Sequence, residues 1–274
     1  MKIISLLNLT RPINVLIAWI TTFVVMWILK NQNPFLEFWQ TLPVPLICAG
    51  GNVLNDFFDL EIDKINKPNR SLPSGKIPPN LALSFAILLL LSGISIASQF
   101  STQLFIISIF AASLISIYDW RLKRLPLVGN FVVSLVSGMT FLYAGAIVTN
   151  VREALVPAFL GFFFHLAREI LKDIEDVKGD KKDGAKTFPI QYGILNSKIL
   201  ITLLILILIT LTIVVFFTEN YSYFYLVTVF FTVDLGLVFV LLSAWKNHSP
   251  ENLNKLNKLL KIGMLFGLLS LALK

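Results

Sequence analysis

The sequence is short of charge, of cysteine and of histidine, and each shortage excludes something. Charged residues make up 14% of the 274, where a soluble domain carries about 25%. That leaves too little polar surface to keep a chain of this length in solution. The single cysteine, Cys48, lies in an apolar stretch and makes neither an internal disulfide nor a thiolate metal site. The two histidines, His165 and His248, have no paired spacing and make no zinc site. No basic run is interleaved with exposed aromatics, as a nucleic-acid groove requires. No P-loop, Gly-x-Ser-x-Gly or Ser-x-x-Lys pattern stands out.

What is there is apolar: 56% of the residues, gathered in long blocks. Such blocks are the signature of membrane helices, since an isolated strand cannot satisfy its backbone in lipid. Nine spans are expected, near 13–29, 40–58, 80–97, 103–118, 126–148, 155–171, 199–217, 222–242 and 259–273. The first is too long for a signal-peptide core and is followed by Lys30-Asn31-Gln32 rather than a cleavage site. The expected fold is therefore all-α and polytopic, a single domain over 1–274, with about nine transmembrane helices bundled around a central cavity. The start of the last helix carries Asn252, Asn254, Lys255, Asn257, Lys258 and Lys261 and is expected to lie at the membrane interface.

The net charge of +7 reports topology. With the N-terminus inside and the spans alternating, only Lys30, Arg152 and Lys274 of the 23 basic residues fall outside. By the positive-inside rule the N-terminus and the long charged loops after spans two and six are cytoplasmic. The absence of a transit peptide fits a prokaryotic plasma membrane.

The acids are spread very unevenly. Asp56, Asp59, Glu61 and Asp63 follow span two, and Glu169, Asp173, Glu175, Asp176, Asp180 and Asp183 follow span six, ten of the chain's 16. If the helix continues through the first cluster, Asn55, Asp59 and Asp63 stand four residues apart on one face. Glu169, Asp173, Asp176 and Asp180 form a second stripe, with Gly179 placed to end that helix before Asp180. Two carboxylate stripes on one membrane face would repel without a cation between them. Oxygen ligands suit Mg²⁺, which keeps few protein ligands and shares itself with a phosphate-bearing substrate. A calcium loop over Asp59-x-Glu61-x-Asp63 fails, because the turn glycine and the closing glutamate are missing. Arg70, Lys123, Arg124 and Lys186 accompany the acids and offer charge to diphosphate oxygens. Taken singly, each is a topology marker. Asp234 lies alone inside span eight, where an acid is functional by default, and the sequence offers it no partner.

Asn55-Asp56-x-x-Asp59-x-x-x-Asp63, followed by Asn69-Arg70-x-Leu72-Pro73-Ser74-Gly75, resembles the first signature of the UbiA superfamily of intramembrane prenyltransferases. Asp176-x-x-x-Asp180 resembles the second, and Arg11-Pro12-x-Asn14 and Tyr118…Lys123-Arg124 are similar to further family elements. Ser71 departs from the proline common there, at a position that is no ligand. The segment Ala167 to Asp180 looks most like the branch that attaches a geranylgeranyl chain to the free hydroxyl of a prenylated glycerol phosphate. The resemblance implies ionisation of an isoprenyl diphosphate, with two Mg²⁺ held by Asp59, Asp63, Asp176 and Asp180, together with Asn55 and either Glu169 or Asp173. It implies catalytic roles for the four aspartates and Lys123. Arg70, Tyr118, Lys123, Arg124, Lys186, Asn14 and Arg11 become substrate contacts. The implied partners are an isoprenyl diphosphate, a lipid-like acceptor and the membrane, with no nucleic acid and no obligate protein partner. One alternative is an aromatic acceptor, as in quinone or chlorophyll pathways, whose enzymes carry a similar first motif. Another is a polytopic transporter, whose coupling acids belong near the midplane. A scaffold with an acidic face would need no metal at all.

Overall fold

The computed structural model describes residues 2–30, 37–182, 184–219 and 221–273. Of the residues named above, Asn31, Gln32, Asp183 and Lys274 lie outside these ranges. Among the described residues every regular element is helical. Proline opens many of them, because its missing N–H is an orphan at a helix start anyway. Pro12, Pro43, Pro79 and Pro250 begin α2 (Pro12–Lys30), α4 (Pro43–Phe58), α6 (Pro79–Ser98) and α13 (Pro250–Ser270). Ser101 caps α7 (Thr102–Trp120) by accepting from the Leu104 N–H. Ser249 caps α13 in the same way through Asn252.

The chain divides into two compact units, residues 1–121 with 139–151 and residues 122–138 with 152–274. The first holds α1 (Lys2–Leu9), α2, α3 (Phe38–Thr41), α4, α5 (Leu60–Asn66), α6 and α7. Its packing centres on α4, which lies against both α6 and α7. Small residues permit the approach. A Cβ on Gly50 would stand 2.8 Å from Leu90 Cγ and 3.1 Å from the Ala86 carbonyl oxygen. One on Gly93 would stand 2.8 Å from Ile47 Cγ1. This is small-residue helix packing of the kind that membranes favour, where lipid gives no hydrophobic drive between helices. It fixes the helix whose end carries the first motif.

The second unit holds the 3-10 turn Leu122–Arg124, α9 (Val151–Lys182), α10 (Phe188–Thr218), α11 (Tyr223–Val229), α12 (Leu235–Lys246) and α13. A π-turn, Phe230–Asp234, joins α11 to α12. The intervening helix α8 (Val128–Ile147) contributes its first half to this unit and its second half to the other.

Among the described residues, seven helices are long and apolar enough to cross a membrane, counting α11 to α12 as one stretch, Tyr223–Lys246. The other two expected spans are shorter or more polar. Helix α4 has 16 residues, about 24 Å at 1.5 Å per residue, and α13 begins with the Asn- and Lys-rich turns. Two boundaries also differ from expectation. Helix α9 does not stop at Gly179 but runs on to Lys182, so Asp180 is helical. Glycine weakens a helix interior by only about 1 kcal/mol, too little to end one on its own. Helix α10 begins at Phe188, eleven residues before the expected start, with a break at Gly193 (φ 87°, ψ 160°) that only glycine adopts readily.

Candidate active site

The first motif straddles a joint. Helix α4 ends at Phe58 and α5 begins at Leu60, with Asp59 between them at φ −91°, ψ 5°. The expected unbroken helix is therefore a pair. Yet the Asp59 N–H still reaches the Asn55 carbonyl at 3.0 Å, and the Asp63 N–H reaches that of Asp59 at 2.7 Å. The four-residue spacing that aligns Asn55, Asp59 and Asp63 survives the break.

Around it the carboxylates are matched by cations. Asp56 and Asp63 are 5% and 3% exposed. Arg70 donates to Asp63 Oδ2 at 2.7 Å and to Asp56 Oδ1 at 3.3 Å, and the Lys67 ammonium lies 3.8 Å from Asp63. Arg11 donates to Asp56 and, at 2.9 Å, to Asn55 Oδ1. Asn55 in turn donates to Asp119 Oδ1 at 2.8 Å. Arg11 sits at φ 53°, left-handed backbone that costs a non-glycine residue about 1 kcal/mol. Its two side-chain partners offset that strain. The loop bearing Arg70 is anchored by Leu72 and Ile77, buried in one apolar cluster with Leu9, Val53 and Leu54. Asn14 is exposed in the first turn of α2, and Tyr118 is half-buried one residue before Asp119. One unit thus assembles Arg11, Asn55, Asp63 and Arg70 into a connected network.

The second motif is built differently. Glu169, Asp173, Asp176 and Asp180 all ride on α9. Asp173 accepts from Asn130 Nδ2 at 2.9 Å, and Glu169 is ion-paired with its neighbour Arg168 at 2.7 Å. Both oxygens of Glu175 are taken by amides of α13, Asn254 at 2.7 Å and Asn257 at 2.6 Å. Asp176 is exposed and Asp180 half-buried. The loop beyond folds back: the Ala185 N–H bonds to the Asp180 carbonyl at 3.0 Å, and the Lys186 N–H to the Arg124 carbonyl at 3.2 Å. Lys186 and the Lys123-Arg124 turn are thereby held together beside the end of the acidic helix.

Among the described residues, no three Asp, Glu, His or Cys side chains are gathered as a ready metal cage. The donor set still fits Mg²⁺. It consists of hard oxygens, and Mg²⁺ sites take one or two carboxylates and complete themselves with substrate phosphate.

The UbiA prenyltransferase family matches residues 18–265. The chain belongs to that family. Digeranylgeranylglyceryl phosphate synthase of Methanosphaera stadtmanae is 35% identical over 267 residues, which cover 97% of each chain. A solved structure of a digeranylgeranylglyceryl phosphate synthase in membranes matches with a TM-score of 0.85 at 32% identity, covering 99% of this chain and 97% of that one. A UbiA homologue from Archaeoglobus fulgidus, solved with DMAPP and Mg²⁺, matches at a TM-score of 0.71 and 17% identity over 98% of this chain and all of that one. At that identity the likeness is one of fold. The protein is a multi-pass membrane prenyltransferase, as the double aspartate motif implies.

For this UbiA family member, three residues of the site went unassigned in the sequence. Asp56 is legible as part of the first cluster but not as the group both arginines share. Asp119 directly follows Tyr118 in the sequence, and only the fold brings it to Asn55. Asn130, the partner of Asp173, has no sequence signal beyond being polar in a span. The partner that the sequence withheld from Asp234 is Thr212, whose hydroxyl lies 3.2 and 3.3 Å from the carboxyl oxygens.

Proposed function

We propose that this protein transfers a geranylgeranyl group from its diphosphate to the free hydroxyl of a prenylated glycerol phosphate, forming a membrane-lipid precursor. The full-length similarity to digeranylgeranylglyceryl phosphate synthases carries this reading. In it, Asn55, Asp59, Asp63, Asp176 and Asp180 hold Mg²⁺, with Asp173 as a further oxygen donor. Glu169, committed to Arg168, is the least available of the expected ligands. The metal's contribution is to offset the negative charge that builds on the departing diphosphate. Arg11 and Arg70 hold the first motif's carboxylates in position. Arg70, Lys123, Arg124 and Lys186 bind diphosphate oxygens, and Tyr118 and Asn14 line the approach. The bond from C1 of the isoprenoid to the diphosphate oxygen breaks, the acceptor's hydroxyl oxygen bonds to C1, and the hydroxyl proton is released. The apolar spans keep water from the allylic cation, which would otherwise be lost as the alcohol.

The site faces the cytoplasm of a prokaryotic plasma membrane in this reading, supported by the distribution of Lys and Arg. The test is a product assay on purified protein with Mg²⁺ and geranylgeranyl diphosphate, offering geranylgeranylglyceryl phosphate, 4-hydroxybenzoate and a naphthoquinone precursor in parallel. A diether phosphate is the expected product. An aromatic product would keep the chemistry and overturn the acceptor. Flux of substrate across liposomes without product would favour a transporter.

A further inference from the structure

The second unit carries a set of charges that the two motifs do not use. Helices α9 and α13 run antiparallel, in a register fixed at three levels. The Asn254 and Asn257 amides hold Glu175, Lys261 interacts electrostatically with Arg168 and Lys172, and Gly263 lies against the Phe164 ring. At the middle level Arg168 and Lys172 of α9 are in electrostatic range of Lys258 and Lys261 of α13, with Glu169 and Asp173 as the carboxylates nearby. Four cations thus stand among two carboxylates, Glu169 and Asp173, an excess of positive charge.

The arginine is under-used as well. Arg168 and Glu169 are 14% and 13% exposed, and a single Nη1–Oε1 bond of 2.7 Å joins them. Arg168 Nε is buried with no partner in the protein. A guanidinium with a spare buried donor, with ammonium groups in electrostatic range, offers the recognition chemistry of a phosphate. Arg168 is eight residues from Asp176 along α9, about 12 Å of helix.

We propose that Arg168, Lys172, Lys258 and Lys261 bind the phosphate monoester of the prenyl acceptor. This assignment rests on the reading of the acceptor as a prenylated glycerol phosphate. It places acceptor recognition on α9 and α13, beside Asp173 and about 12 Å of helix from Asp176, and gives Glu169 the task of orienting Arg168. A neutral acceptor would leave the four cations in excess over the two carboxylates, Glu169 and Asp173.

The test uses full-length protein in detergent, with geranylgeranylglyceryl phosphate and its dephosphorylated alcohol as paired probes. Lys172→Ala and Lys261→Ala remove exposed side chains and leave the fold intact, whereas Arg168→Ala would strand Glu169. In the Lys172→Ala/Lys261→Ala double variant the acceptor KM rises at least about tenfold, the worth of one charge-assisted contact. The donor KM stays as in wild type, and placing Lys261→Arg instead of Lys261→Ala beside Lys172→Ala restores the acceptor KM. Thermal stabilisation by the phosphate compound, but not by the alcohol, disappears in the same variant. A variant that still prefers the phosphate compound overturns the site, as does a donor KM that rises in step. Equal, Lys-dependent stabilisation by an anionic phospholipid overturns it in favour of a headgroup site. Wild-type turnover separates the two claims. If wild type makes only an aromatic product, the acceptor reading has failed; if it makes the diether while the variant keeps its preference, only the site assigned here has failed.

Discussion

The two aspartate motifs carry the same residue type at the same spacing, yet the fold supports them by opposite means. The first sits across a helix break, with Asp56 and Asp63 buried and matched by Arg11 and Arg70. The second lies on one uninterrupted helix, with Asp176 exposed and Asp173 held by an uncharged amide. A buried carboxylate must be paired, because the alternative is an isolated charge out of water. An exposed one is stabilised in part by solvent. The first motif is therefore part of the protein's structure before any ligand arrives. The second depends less on burial.

The comparison breaks most sharply at Arg70. Arg70→Ala leaves Asp63 with only the distant Lys67 and Asp56 with Arg11 alone. Removing one partner of a buried ion pair costs about 3–5 kcal/mol, so the variant should melt well below wild type in detergent and lose activity with it. Unchanged melting would mean that the first motif is not held by charge. Next come the motif carboxylates. Asp63→Asn and Asp176→Asn should each lower turnover by about a hundredfold or more, the usual loss of one preorganised electrostatic contact. Only Asp63→Asn should also shift the melting temperature, because only Asp63 is buried against arginine. Equal melting shifts would erase the distinction between the two motifs.

Chelation tests the same contrast without mutation. Stripping divalent metal should abolish prenyl transfer. It should leave the melting temperature near that of the untreated protein, since the first motif's charge is already balanced by Arg11, Arg70 and Lys67. Unfolding on chelation would instead make the metal a structural ion.

Much of this was legible in the residues. The helical class follows from apolar blocks that no soluble chain could carry. The motifs follow from acids four residues apart in a sequence otherwise poor in charge. What was not legible depends on pairings distant in sequence. The Asn55–Asp119 contact links positions 64 apart, and those of Glu175 with Asn254 and Asn257 link positions about 80 apart. The break at Asp59 was hidden because hydrogen bonds on both sides keep the spacing of a continuous helix. Gly179 misled in the other direction. An intrinsic penalty near 1 kcal/mol is easily outweighed by the contacts of a 32-residue helix.

Asn130→Ala gives the smallest effect and the finest test. Asn130 is buried and donates to Asp173 Oδ2 at 2.9 Å. Its loss removes one hydrogen bond to a carboxylate, worth about 1.5–3 kcal/mol. Asp173 is half-buried rather than sealed, so water can take over part of that bond and the measured cost should fall near the lower end. If Asp173 only supports the helix, the variant melts slightly lower and keeps its Mg²⁺ dependence. If Asp173 is a ligand that Asn130 orients, the Mg²⁺ concentration for half-maximal activity rises, while the same titration in Asp176→Asn locates the effect of a true ligand for comparison. A metal dependence that moves with Asn130 would extend the second motif one turn toward the membrane and make its soft, amide-held end part of the metal site.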